Sequence, residues 1–157
     1  MARLRWFLLA LLALPLISSG GADARGGIGR ENPWAADHLT DLPRDIRSSI
    51  ASQYPSCEPA RAQHGFARYL ITPGAHPDFV ALHFDLFGCR DRTAICTSTG
   101  CLHQIYAATR AGYRLVYSGH VDDIELRLVG GRPALALSCA GTFGACRVLI
   151  WNGRRFR

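Results

Sequence analysis

The sequence contains no lysine, and beyond its first two dozen residues it has no long apolar run. All 18 of its cationic side chains are therefore arginine, which stays charged at any working pH and forms paired hydrogen bonds with carboxylates and phosphates. The remaining composition, 48% hydrophobic and 19% charged, is typical of one globular domain and excludes a disordered or collagen-like chain. A chain of 157 residues buries enough surface on folding to form a core without a structural metal.

The motifs of several common chemistries are missing as well. No Gly-x-Ser-x-Gly elbow, phosphate-binding loop or His-Glu-x-x-His sequence occurs, and no Cys-x-x-Cys pair accompanies histidines at zinc-finger spacing. Asp122, Asp123 and Glu125 cluster at the start of a predicted strand. Alternation places Glu125 in water, and adjacent acids without a shielding pocket rarely form an acid–base pair. We therefore predict no catalytic residue, no bound metal and no cofactor.

The first residues have the order of a secretory signal peptide. Arg3 and Arg5 precede the apolar run 6–14, and a stretch of small residues ending at Ala24 follows. The apolar run is too short to span a bilayer, no cysteine follows it closely enough for a lipid anchor, and no second run approaches membrane length. We predict cleavage after Ala24, a flexible leader over residues 25–38, and a single periplasmic or secreted domain over residues 39–157 without a transmembrane segment.

The cysteine content agrees with export. The six cysteines all lie in the predicted mature chain, at Cys57, Cys89, Cys96, Cys101, Cys139 and Cys146. An even number in an exported chain is typical of a disulfide framework, here of three disulfides. Sequence alone leaves many pairings open, but the short spacings favour Cys96–Cys101 and Cys139–Cys146, which leaves Cys57–Cys89. With every thiol oxidised, no cysteine remains to act as a nucleophile.

The fold is predicted to begin with one helix and to continue as strands. Apolar residues recur every four positions from Leu42 to Tyr54, which predicts an amphipathic helix that starts at Pro43 and is capped by Asp41. From Phe66 onward the apolar period is two, and the turns contain glycine. The fold class is therefore α+β, a mostly antiparallel β meander with one N-terminal amphipathic helix and three disulfides. Its predicted strands cover residues 66–71, 78–87, 102–108, 113–118, 123–129, 134–139 and 146–151.

Two histidines on these strands have metal-binding potential. Apolar residues at every second position of the strand 78–87 alternate with Ala81, His83 and Asp85, a pattern typical of a strand with one buried face. His83 and His103 lie on strands that could be neighbours in the sheet, so the two imidazoles could bind a metal as a pair. Strand histidines are more often exposed or hydrogen-bonded, and we expect that role here.

The C-terminal residues form the candidate binding surface. The Asn-Gly pair at 152–153 is a strong hairpin signal, so the residues after it should return against the preceding strand. Alternation would bury Phe156 and direct Arg154 to the same side. Arg155 and Arg157 would then stand exposed together. Two exposed arginines beside an edge strand could hold an anionic group, or they could prevent aggregation at the edge.

Five short motifs are spread over most of the predicted mature chain. They are Tyr54-Pro55-Ser56-Cys57, Pro77-Asp78-Phe79-Val80, Thr99-Gly100-Cys101, Gly112-Tyr113-Arg114-Leu115-Val116, and Cys146 with Trp151-Asn152-Gly153 and Phe156. This pattern resembles a group of small exported bacterial proteins of unknown function, and the resemblance implies export, disulfides and a β fold, with no catalytic residue. Members of the group often carry a calcium-loop-like Asp-x-Asn-x-Asp-Gly turn before the Pro-Asp strand. Residues 72–78 keep only Asp78 of those acids, so we expect no calcium site.

The expected function follows from compartment and charge. Export makes nucleic acid a poor partner, whereas an anionic envelope polymer or a protein fits the compartment and the net charge of +6. We expect non-catalytic binding or a structural role in the bacterial cell envelope. The alternatives are a periplasmic hydrolase acting on envelope material and an inhibitor of a cell-wall hydrolase.

Overall fold

Antiparallel strands and two short helices make up the computed structural model, which describes residues 34–35, 37–57, 60–74 and 76–157. The predicted α+β class is confirmed, with one helix more than expected. The helices are α1 (Asp37–Thr40) and α2 (Arg44–Gln53). The strands are β1 (Trp34–Ala35), β2 (Arg61–Gln63), β3 (Ala67–Leu70), β4 (Phe79–His83), β5 (Phe87–Gly88), β6 (Cys96–Thr97), β7 (Gly100–Thr109), β8 (Gly112–Val121), β9 (Asp123–Val129), β10 (Arg132–Ser138) and β11 (Ala145–Ile150).

The strands form three sheets. In the central sheet, β3 pairs with β4, and β4 pairs with β7. Strand β7 also pairs with the short β6 and, along almost its whole length, with β8. The second sheet is the meander β9–β10–β11, and β1, β2 and β5 form a small third sheet. The chain leaves the central sheet at Asp122, whose N–H donates a hydrogen bond to the carbonyl of Ser138 at 2.9 Å. This short crossing brings the start of β9 close to β4 and β7.

Helix α2 packs its apolar face on the central sheet, as the four-residue spacing predicted. Ile46 and Ile50 are buried, together with Leu42 from the turn before the helix. The predicted cap is wrong, because Pro43 occupies the N-cap position and no side chain caps the helix. Pro43 lacks an N–H and has a φ suited to this position, so the chain can begin the helix there without help from Asp41.

Strand β4 is buried on both faces, so the predicted single buried face is wrong. Val80 and Leu82 pack in the cluster that contains the apolar face of α2. Phe79 and Ala81 pack in a second cluster, with Leu135 and other residues of the β9–β11 sheet. The residues of β4 alternate between two faces, as predicted. The face that was predicted to be exposed to solvent is covered by the second sheet. The strand also ends at His83, because the chain turns into a 3₁₀ helix at Phe84–Leu86.

The three disulfides join the pairs that the short spacings favoured. They are Cys57–Cys89, Cys96–Cys101 and Cys139–Cys146. The first encloses β2 to β5, and the other two close short segments beside β7 and β11. All six cysteines are therefore structural, as predicted.

The predicted domain boundaries fall largely on residues that are not described. The signal peptide predicted over 1–24 lies outside the described residues, and so does most of the leader predicted over 25–38. Within the described residues, the first regular element is β1 at Trp34, inside that leader, where β1 pairs with β2. Among the described residues, no helix has both the length and the apolar character needed to cross a bilayer.

Candidate functional site

The C-terminal turn forms as the Asn-Gly pair predicted. The side-chain oxygen of Asn152 accepts hydrogen bonds from the N–H groups of Arg154 and Arg155, each at 2.9 Å. The N–H of Asn152 donates to the carbonyl of Arg155 at 3.2 Å, which closes the turn. Gly153 has a φ of +94°, which glycine adopts without strain. Asparagine and glycine at these two positions therefore fix the path of the following arginines.

Phe156 anchors the returning segment in the core, as predicted. Its ring is buried against Trp151 and Phe79, with centroid distances of 5.2 Å and 5.3 Å. Ile150 and Arg157 exchange two backbone hydrogen bonds, at 2.9 Å and 3.2 Å, next to the bridge between Trp151 and Phe156. The arginines on either side of Phe156 are thus held by a rigid support.

The exposed arginines of this turn line a pocket together with an arginine from β8. The pocket has a volume of about 600 Å³. Arg155 and Arg157 both line it, and both are exposed, in agreement with the predicted exposure. Arg154 lines the same pocket, so the prediction that it follows Phe156 to the other side is wrong. Its position belongs to the turn, where strand alternation does not apply. We call this the arginine pocket, formed by Arg114, Leu115, Val116, Asn152, Arg154, Arg155 and Arg157.

The arginine pocket is rich in positive charge that no acidic residue balances. Its lining includes four arginines and no acidic side chain. Among the described residues, no Asp or Glu forms an ion pair with any of the four. Arg114 Nη2 donates to the carbonyl of Arg154 at 3.2 Å, which ties β8 to the turn and leaves the other donors of that guanidinium available. The arrangement can hold a carboxylate or phosphate by several charge-assisted hydrogen bonds.

The predicted binding pair, Arg155 and Arg157, did not include Arg114. It lies 40 positions before Arg154, and its place beside the turn depends on how the central and second sheets pack. The only local signal is its place in the motif that begins at Gly112. That motif indicates a structural role, and nothing in its spacing predicts that Arg114 contacts residues near the C-terminus.

The two strand histidines are direct neighbours, as their predicted strands allowed. His83 on β4 pairs in register with His103 on β7, and their ring centroids are 5.1 Å apart. Both residues are buried, so the expected surface position is wrong. The expected hydrogen bonds are largely missing, because neither nitrogen of His103 and only one of His83 has a partner at good hydrogen-bonding geometry among the described residues. The second sheet covers the face on which both rings lie.

The acidic cluster separates into residues with different surroundings. Glu125 is exposed, as predicted, and lies 3.5 Å from a guanidinium nitrogen of Arg127. Asp123 Oδ1 lies 3.3 Å from Nδ1 of His83, a contact that the sequence did not reveal. These acids therefore do not form a carboxylate pair.

Comparison of the chain with known protein families, with curated proteins and with solved structures finds no match.

Proposed function

We propose that this is an exported protein that binds an anionic ligand in the bacterial cell envelope without catalysing a reaction. The observation that supports the proposal is the arginine pocket, in which four arginines converge without an acidic partner. A cluster of unbalanced cations raises the local positive potential and attracts anions. The backbone of the turn is held by its hydrogen bonds, so the ordering cost of binding falls mainly on the arginine side chains.

The pocket fits a ligand with several anionic groups better than one with a single charge. The arginine side chains are exposed, and an exposed charge pair contributes only about 0.2–1 kcal/mol because water screens it. Several such contacts are needed for useful affinity. A polymer that presents carboxylates or phosphates at short intervals supplies them, since each guanidinium can bind one group through two parallel hydrogen bonds.

The disulfides support a location outside the cytoplasm, where this ligand would occur. Three disulfides are typical of a protein that folds in an oxidising compartment. The envelope outside the cytoplasmic membrane is such a compartment in bacteria and contains anionic polymers. Nucleic acid is a poorer candidate, because it is not the usual polyanion there.

Substituting two arginines of the pocket should weaken the capture of a polyanion. We expect Arg155→Ala with Arg157→Ala to weaken binding about tenfold, since two charge-assisted contacts are lost. Fluorescence anisotropy with labelled polyphosphate and labelled polyglutamate measures the effect and distinguishes phosphate from carboxylate. Binding by the unsubstituted protein should fall as the salt concentration rises from about 0.1 M to about 1 M, because the Debye length shortens from about 10 Å to about 3 Å.

The matched control is the double substitution Arg90→Ala with Arg110→Ala. These arginines are exposed and lie outside the pocket, so the control removes the same charge from elsewhere on the surface. The control should bind within about twofold of the unsubstituted protein, whereas equal losses in the two double variants would show unspecific charge attraction and overturn the proposal. Unchanged binding together with greater aggregation of the pocket variant would assign the arginines to protection of the edge strand β11 instead.

A further inference from the structure

Three metal-ligating side chains meet beneath the second sheet, away from the arginine pocket. They are His83, Asp85 and His103, and each offers a ligand atom that lies within 4.8 Å of the others. His83 is 2% exposed and His103 is 0% exposed. We call this group the histidine site. Nothing in the proposed anion binding uses these residues, so the site calls for its own explanation.

The fold places the three side chains together through strand pairing and one turn. His83 and His103 are directly opposite each other in the antiparallel pair β4–β7, so their side chains project from the same face. Ala81 lies two residues before His83 on β4, and Ile105 lies two residues after His103 on β7, so they share the face of the histidines. Both pack against the second sheet. Asp85 follows in the 3₁₀ helix, which turns the chain back beside the two rings.

Four buried polar atoms of the site have no partner at good hydrogen-bonding geometry within the described part of the chain. These atoms are Nε2 of His83, Oδ1 of Asp85, and both ring nitrogens of His103. Leaving such a group buried and unpaired is destabilising, so folded proteins rarely leave several side by side. Unpaired atoms on three adjacent side chains indicate that something with matching chemistry belongs there.

Burial lowers the pKa of both imidazoles. Loss of water contact lowers the pKa of His83 to about 4, with smaller contributions from Arg68 and His103, although Asp123 and Asp85 act in the opposite direction. Burial also lowers the pKa of His103, against the nearby carboxylates of Asp85 and Asp123 and the peptide groups of Val121 and Asp122. Both shifts reflect how far the two rings are removed from water.

We infer that His83, Asp85 and His103 bind one divalent first-row transition metal ion, with zinc as the fitting probe. Two imidazole nitrogens and one carboxylate oxygen suit Zn²⁺, and the nitrogen-rich set disfavours Ca²⁺ and Mg²⁺, which prefer oxygen ligands. Ligand atoms around a tetrahedral zinc lie roughly 3.3 Å apart, given bond lengths of about 2.0–2.1 Å. The observed separations of up to 4.8 Å need only small side-chain rotations to reach this geometry.

The surroundings of the site match those of known kinds of metal centres. Asp123 Oδ1 lies 3.3 Å from Nδ1 of His83, on the side of the ring opposite the unpaired Nε2. A carboxylate in that position orients the ring and makes its other nitrogen a better metal ligand. A pocket whose lining includes Arg68, Tyr69 and Glu125 extends to His83.

The test is zinc binding by the disulfide-bonded protein after removal of metal with a chelator. We expect one equivalent of Zn²⁺ in isothermal titration, a higher Tm on loading, and reversal of that rise by EDTA. Cobalt should bind at the same place and give the visible absorption of a low-coordinate Co²⁺ centre. His103→Gln and Asp85→Asn should each weaken zinc binding by about 100-fold or more, and Asp123→Asn by about tenfold.

The matched control is His120→Gln, which changes an exposed histidine of β8 in the same way. It should leave zinc affinity and stoichiometry unchanged. Circular dichroism establishes that each variant is folded, and Asp85→Asn provides the test if His103→Gln does not fold. The inference is overturned if the unsubstituted protein takes up no stoichiometric zinc, a result that would assign the unpaired atoms to buried water. It is also overturned if His120→Gln weakens binding as much as Asp85→Asn does.

Discussion

A Phe79→Ala variant should lose about 3–5 kcal/mol of unfolding free energy, the usual cost of removing a large aromatic side chain from a core. Phe79 is completely buried, and its ring lies 5.0 Å from that of Trp151 and 5.3 Å from that of Phe156. It joins the central sheet to the end of β11 and to the returning turn. The truncation would leave a cavity that three separate elements would have to close. Urea denaturation followed by tryptophan fluorescence and circular dichroism measures the loss.

Phe143→Ala is the control for this loss. Phe143 lies in the segment closed by Cys139–Cys146 and is fully exposed, so the same change in side chain removes no core contact. We expect its unfolding free energy to stay within about 0.5 kcal/mol of the unsubstituted value. Similar losses in the two variants would contradict the arrangement of the second apolar cluster.

Gly100→Ala should also destabilise the fold strongly, by about 3 kcal/mol or more. Gly100 has a φ of +124°, which L side chains rarely adopt. A Cβ at this position would overlap the backbone carbonyl of Val121 and would lie 2.7 Å from the nitrogen of Asp122. These obstacles are backbone atoms at the crossing between the sheets, so no side-chain rotation can relieve the overlap. Thermal and urea denaturation measure the cost.

Gly131→Ala separates the steric effect from the conformational one. Gly131 also has a positive φ, +76°, but its Cβ would meet no atom within 4 Å. Only the backbone preference is then lost, which costs about 1–2 kcal/mol. The Gly100 variant should therefore be clearly the less stable of the two. Equal stability of the Gly100 and Gly131 variants would mean that the backbone at Val121 is not as close to Gly100 as the structure shows.

The features predicted correctly are those that depend on neighbours along the chain. The face of α2, the alternation of β4, the turn at Asn152 and the two short disulfides are all fixed by spacings of a few residues. The Cys57–Cys89 pair followed from the other two. The added elements α1, β1, β2, β5 and β6 have too few residues to show a period, so the sequence did not indicate them.

The features that were missed depend on packing between sheets. The alternation of β4 placed His83 and Asp85 on one face, but the sequence could not show that the second sheet buries that face. The sequence therefore predicts surface histidines. In the same way, Arg114 joins the arginine pocket because β8 lies beside the C-terminal turn, an arrangement that no local spacing records.

The disulfides make folding of this chain dependent on where it is synthesised or delivered. Cys57–Cys89 spans 32 positions, and restricting a loop of that length in the unfolded chain contributes roughly 4 kcal/mol to stability. The shorter loops of Cys96–Cys101 and Cys139–Cys146 contribute roughly 2–2.5 kcal/mol each. Together these contributions are comparable with the whole net stability of an ordinary domain, about 5–15 kcal/mol. A copy retained among reducing thiols would sit near the unfolding threshold and be exposed to proteases, whereas an oxidised copy would persist. The persistence of the folded protein is therefore tied to conditions that keep its cysteines oxidised.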